Sequence, residues 1–134
     1  MNKENINFAL LGCSRISKQH IAAIKELANR CTLLDVCDLN IEALENTKSL
    51  IHVNCYSDYD EMLKNTKADC IIITTPNGLH HQHALKALRA GFHVITEKPM
   101  AINVEHAEEM IKVSKENNKH LFVVKQVRFS NCVQ

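Results

Sequence analysis

Short apolar runs rich in β-branched residues alternate with longer segments of helical period along almost the whole chain, from Ile6 to Lys125. That alternation is the pattern of repeated βαβ units, in which a parallel sheet is covered by its own crossover helices. Strands are expected at 6–11, 32–37, 52–55, 70–74, 93–96 and 121–125. Most of them are near-continuously apolar, as strands buried on both faces are. One helix is expected at 16–28, with Ile16, His20, Ala23, Ile24 and Leu27 on its inner stripe. A second at 79–90 buries His80, Ala84, Ala87 and Leu88, with Gly91 as its C-cap, and a third at 104–118 buries Ala107, Met110, Ile111 and Ser114. Shorter helices cover 41–50 and 59–63. The fold class is therefore α/β, a doubly wound Rossmann-type parallel sheet of about six strands with helices on both faces.

A chain of 134 residues that is 46% hydrophobic holds one such core and no second domain of similar size. Sixteen Lys and Arg against 15 Asp and Glu leave a formal charge of +1, so no one-signed field attracts nucleic acid or anionic lipid. A small-molecule ligand is the better expectation. The six cysteines form no Cys-x-x-Cys pair and mostly sit in apolar runs, which reads as buried, reduced thiols. The first residues lead straight into a strand pattern, without a basic start and apolar signal core, and a cytoplasmic protein is expected.

Two features turn the fold toward a dinucleotide. The first strand runs into Gly12-Cys13-Ser14-Arg15-Ile16-Ser17, in the place of the glycine-rich turn where backbone amides and a helix N-terminus hold a pyrophosphate. Only the first glycine is kept. Ser14 stands where the backbone approaches phosphate most closely and offers a hydroxyl in exchange, while Ser17 serves as the small packing residue; the loop alone is equally a serine-capped turn. The second strand then ends in Asp38, 26 residues after Gly12. A carboxylate there accepts from both hydroxyls of an adenosine ribose and repels a 2′-phosphate, and no arginine follows it to welcome one. NAD is favoured over NADP. The alternative for Asp38 is a solvated strand end or the N-cap of the next helix.

From Thr74 the chain reads Thr74-Thr75-Pro76-Asn77-Gly78-Leu79-His80, then Ala84, Ala87-Leu88, Ala90-Gly91, His93-Val94 and Glu97-Lys98-Pro99. This resembles the signature of the Gfo/Idh/MocA oxidoreductases, with residue identity fixed at about a dozen positions. The resemblance implies an NAD-dependent enzyme that moves a hydride between nicotinamide and the hydroxyl of a sugar or sugar nucleotide. It also implies cofactor contacts from Gly12, Ser14, Arg15, Ile16, Asp38, Thr75, Pro76, Asn77, His80, Glu97, Lys98 and Gln126. Lys98 is the expected catalytic group: the Lys-Pro peptide is commonly cis in the family, turning the ammonium toward cofactor and substrate, where it stabilises a developing alkoxide. The runs 91–101 and 121–129 are similar to the branch acting on UDP-linked amino-sugar uronates, such as UDP-N-acetylglucosaminuronate 3-dehydrogenases.

His80, His81 and His83 invite a metal, but two imidazoles on one helix face without a third ligand make a poor site, and none is assigned. His81 and His83 are expected on the helix surface. Residues 1–126 form the expected NAD-binding domain and 127–134 the start of a connection, because family members run to more than twice this length. A substrate domain and a proton-transfer group are expected beyond residue 134, together with homo-oligomeric assembly, and the isolated chain is expected to turn over poorly. A stand-alone nucleotide-binding or regulatory module is the competing reading.

Overall fold

The computed structural model describes residues 4–125. Its six parallel strands are β1 (Ile6–Leu11), β2 (Cys31–Cys37), β3 (Asn54–Tyr56), β4 (Cys70–Ile73), β5 (His93–Thr96) and β6 (Leu121–Val123), arranged in the order β3-β2-β1-β4-β5-β6. Helices α1 (Ser17–Glu26), α2 (Ile41–Lys48), α3 (Tyr59–Asn65), α4 (His80–Arg89) and α5 (Val104–Glu116) make the crossovers, and a short 3-10 turn at Asn77–Leu79 leads into α4. The expected elements are all present. Boundaries move by up to two residues at most strands, and β6 ends at Val123 although the Val124 amide still donates to the Thr96 carbonyl.

The strand order reverses at β1, which lies between β2 and β4, so the helices before and after the reversal fall on opposite faces. On one face Ile21 and Ile24 of α1 and Leu44 of α2 pack on Leu10, Leu33, Val36 and Ile72. On the other, Met62 of α3, Leu88 of α4 and Met110 of α5 pack on Ala9, Ile71, Ile73 and Val94. Alternate residues of β1 and β4 thus enter opposite cores, as the pleat requires. The α4 stripe is as expected, with His80, Ala84, Ala87 and Leu88 buried.

Two helices are turned from their expected faces. In α1 the buried residues are Ser17, Ile21 and Ile24, while Ala23 is exposed and Leu27 is 47% exposed. Ser17 is small enough to bring the helix start against the sheet, and the stripe one step round the helix follows it inward. His20, Ala23 and Leu27 instead border an apolar groove with Phe8, Ile72 and Ile95. In α5, Val113 takes the inward place expected for Ile111, which stays exposed. Cys31, Cys37 and Cys70 are buried, whereas Cys13 is half-buried and Cys55 exposed.

Two buried polar contacts tie layers together. Asp35 in β2 accepts from the Asn54 side chain of β3 at 3.0 Å and from the Thr66 hydroxyl after α3. His93, at the start of β5, accepts the His120 backbone N–H on Nδ1 at 2.9 Å. Burial, helped by Lys119 and His120, holds His93 below the ordinary histidine range, and burial does the same to His83 of α4. Both groups resist protonation in the folded protein where the unfolded chain binds protons, so their burial is without cost above about pH 6.5 and becomes destabilising as pH falls below it. Denaturant midpoints are expected to drop between about pH 7.5 and about pH 5.5, and a midpoint unchanged over that interval contradicts the assignment.

Candidate functional site

Gly12 leaves β1 at φ +98°, in the left-handed region where a side chain is strained. A Cβ on Gly12 would lie 2.9 Å from both the carbonyl carbon and oxygen of Thr74, so the loop after β1 and the exit of β4 touch backbone to backbone. Hydrogen bonds close the same junction: the Thr74 amide donates to Leu11 O at 2.8 Å, the Thr74 hydroxyl to Gly12 O, and the Ser14 hydroxyl to Thr74 O at 3.1 Å. Ser17, 1% exposed, donates to the Ser14 carbonyl and starts α1 beneath the loop. Among the described residues the amides of Ser14, Arg15 and Ile16 make no hydrogen bond, which leaves three donors at the positive end of a ten-residue helix.

At the exit of β2 both carboxylate oxygens of Asp38 are oriented by backbone. Oδ2 accepts from Cys13 N–H and Oδ1 from Asn40 N–H, each at 2.8 Å. The N-cap of α2 is Asn40, whose side chain accepts from the Ala43 amide at 3.2 Å. Asp38 is therefore not that cap. Each of its oxygens keeps a lone pair for a further donor.

The exits of β1, β2, β4 and β5 border two adjoining lobes of one cleft, both lined by Ser14, Thr75 and Pro76. The first lobe contains Gly12 and Asp38 together with Leu39, Tyr59 and His83. The second contains Arg15, Ile16, Asn77, His80, Glu97 and Lys98. Eleven of the twelve residues expected at a cofactor site thus line one cleft; Gln126 lies outside the described residues. His80 is 1% exposed and spans β4 and β5, with Nδ1 2.8 Å from the Pro99 carbonyl oxygen and Nε2 2.8 Å from that of Thr75. The Lys98–Pro99 peptide is cis.

The remaining histidines differ from expectation. His83 is half-buried in the first lobe, with Nδ1 3.0 Å from the Thr75 hydroxyl and its ring edge-on to Tyr59 at 5.3 Å. The Tyr59 hydroxyl donates to the His83 carbonyl at 2.9 Å, and burial pushes the phenol far above its usual range. His81 turns the other way, stacks on His106 of α5 at 3.9 Å and pairs with Glu109 at 2.8 Å. A helix turn of about 100° per residue separates the three imidazoles, and among the described residues no group of three metal-binding side chains forms. No described helix is long and apolar enough to cross a membrane. Leu39 and Tyr59 escape sequence reasoning because neither is charged or part of a spacing pattern; an isolated leucine directly after the Asp38 carboxylate is the one available signal.

Residues 6–125 match the Gfo/Idh/MocA group, an oxidoreductase family with an NAD-binding Rossmann fold. The chain belongs to that family. A solved WlbA dehydrogenase from Chromobacterium violaceum, in complex with NADH and UDP-GlcNAcA, is 42% identical with a TM-score of 0.96 over 100% of this chain and 39% of that one. Its counterpart from Bordetella pertussis, with the same two ligands, is 41% identical with a TM-score of 0.94, covering 97% of this chain and 40% of that one. D-glucoside 3-dehydrogenase of Escherichia coli K12 is 30% identical over 90% of this chain and 35% of that protein. The chain thus spans two fifths or less of the length of these Gfo/Idh/MocA relatives.

The Gly12 junction gives a direct test. Gly12→Ala combines a positive φ with a backbone clash and is expected to lower stability by roughly 1–3 kcal/mol, read from the denaturant midpoint. A loss near zero would mean that the loop and the β4 exit are not in contact.

Proposed function

We propose that this chain supplies the NAD-binding half of a dehydrogenase acting on a sugar or sugar-nucleotide hydroxyl, with a UDP-linked N-acetylglucosaminuronate as the leading substrate. The observation that carries the reading is the shared cleft, with an oriented Asp38 in one lobe and Lys98 in the other. The likeness to two dehydrogenases solved with NADH and UDP-GlcNAcA supports both the cofactor and the substrate class.

The residues present fit the dinucleotide. Asp38 accepts from the diol of the adenosine ribose, and Leu39, 88% exposed beside it, offers an apolar face to the adenine opposite His83. The amides of Ser14, Arg15 and Ile16 receive the pyrophosphate at the start of α1, and Gly12 keeps the backbone clear. Asn77, His80, Glu97 and Lys98 would then hold the nicotinamide end. A bound NAD would supply the acceptor for the hydride of the hydroxyl-bearing carbon. Lys98 donates to the substrate oxygen and stabilises the alkoxide as its proton passes to a base expected in the substrate half. Cytoplasmic placement and homo-oligomeric assembly complete the reading, and the near-neutral charge and free thiols are consistent with the first.

Calorimetric titration tests this reading. NADH is expected to bind more tightly than NADPH, and Asp38→Ala to weaken NADH about tenfold or more while narrowing the difference between the two cofactors. Absence of NADH binding, or an Asp38→Ala variant indistinguishable from the parent chain, contradicts the proposal.

A further inference from the structure

His20 lies within α1, one turn beyond the loop that forms the phosphate end of the cleft, and its Nε2 is 2.7 Å from Oε1 of Glu97 at the exit of β5. The two side chains are 18% and 9% exposed, so the contact is shielded from water on most sides. Glu97 lines the second lobe of the cleft, whereas His20 lines the apolar groove beside α1, and the pair forms the wall between these two spaces. The other charged groups bordering the groove are Glu4 and Arg30, and Lys98 follows Glu97 in the chain.

A glutamate has three rotatable bonds, and a carboxylate of this burial is costly without a partner. Oε1 is committed to His20, while Oε2 makes no hydrogen bond among the described residues. The imidazole thereby fixes Oε1 and leaves Oε2 as the free acceptor of the carboxylate. We propose that His20 is a positioning residue for the nicotinamide end of the dinucleotide: it holds Glu97 so that the free oxygen accepts from a hydroxyl or amide donor there. The inference rests on the NAD reading above. It adds a residue that touches no cofactor and ties the α1 loop, at the pyrophosphate, to the β5 exit.

The test compares two ligands on the full 134-residue chain, NADH and ADP, which has the adenosine and pyrophosphate but neither the second ribose nor the nicotinamide. His20→Leu is expected to weaken NADH about tenfold, the scale of one charge-assisted hydrogen bond, with ADP affinity within about twofold of the parent chain. His20→Gln keeps an N–H donor of similar reach and is expected to restore most of the NADH affinity. Unchanged ADP binding shows that the variants are folded. Equal losses for both ligands, no loss for either, or a glutamine variant as weak as the leucine variant overturns the positioning role. A parent chain that binds neither ligand overturns the dinucleotide reading itself, and the positioning role with it.

Discussion

The close approach of Gly12 to Thr74 sets the geometry from which the rest of the molecule is built. β1 and β4 are neighbours at the reversal of strand order, and their loops depart toward opposite faces of the sheet. A side chain at position 12 would meet the Thr74 backbone at 2.9 Å and part the two exits. With hydrogen there, the Thr74 and Ser14 hydroxyls stitch the junction instead, and α1 begins directly beneath it on Ser17. The cleft is the gap that this junction leaves open, which is why the residues of both lobes share Ser14, Thr75 and Pro76.

Around that gap the polar groups are held by the protein itself, two of them by backbone and one by a side chain. Asp38 takes two amides, His80 bridges two carbonyl oxygens on different strand exits, and Glu97 is held by His20. Each contact fixes an orientation that a solvent-exposed side chain would otherwise sample freely, so less ordering remains to be done on binding. His93 plays the corresponding part away from the cleft by capping the His120 amide where β6 begins.

The fold was legible because its signal is repeated: six apolar runs and five helical segments each carry their own period, and the parallel sheet demands that order. The lining of the cleft was legible at Gly12 and Asp38, where chemistry and spacing coincide, and over 75–98 through the resemblance to the family signature. Helix faces were less so. The two candidate stripes of α1 differ by one residue, and what decides between them is the tight fit of Ser17 against the loop, a tertiary fact. The same turn of about 100° explains the histidines: adjacent in sequence, His80 and His81 point to different neighbours, so a compositional cluster becomes three separate contacts. His20 was assigned to an apolar stripe because its partner lies 77 residues away and no local pattern announces it.

Ser14 is where the sequence departs furthest from a glycine-rich loop, and the geometry explains how the departure is tolerated. Among the described residues the only non-glycine positive φ belongs to Asn118, so position 14 needs no left-handed conformation and a side chain costs nothing there in backbone strain. The requirement for a second glycine is therefore one of space alone. Ser14 meets part of it by turning its hydroxyl back onto the Thr74 carbonyl, which satisfies an acceptor at the β4 exit and leaves the Ser14 amide, with those of Arg15 and Ile16, unbonded. A methyl group in place of the hydroxyl would fill a similar volume but leave the Thr74 carbonyl without this donor from the loop, so the hydroxyl adds a link to the junction that a glycine would not supply.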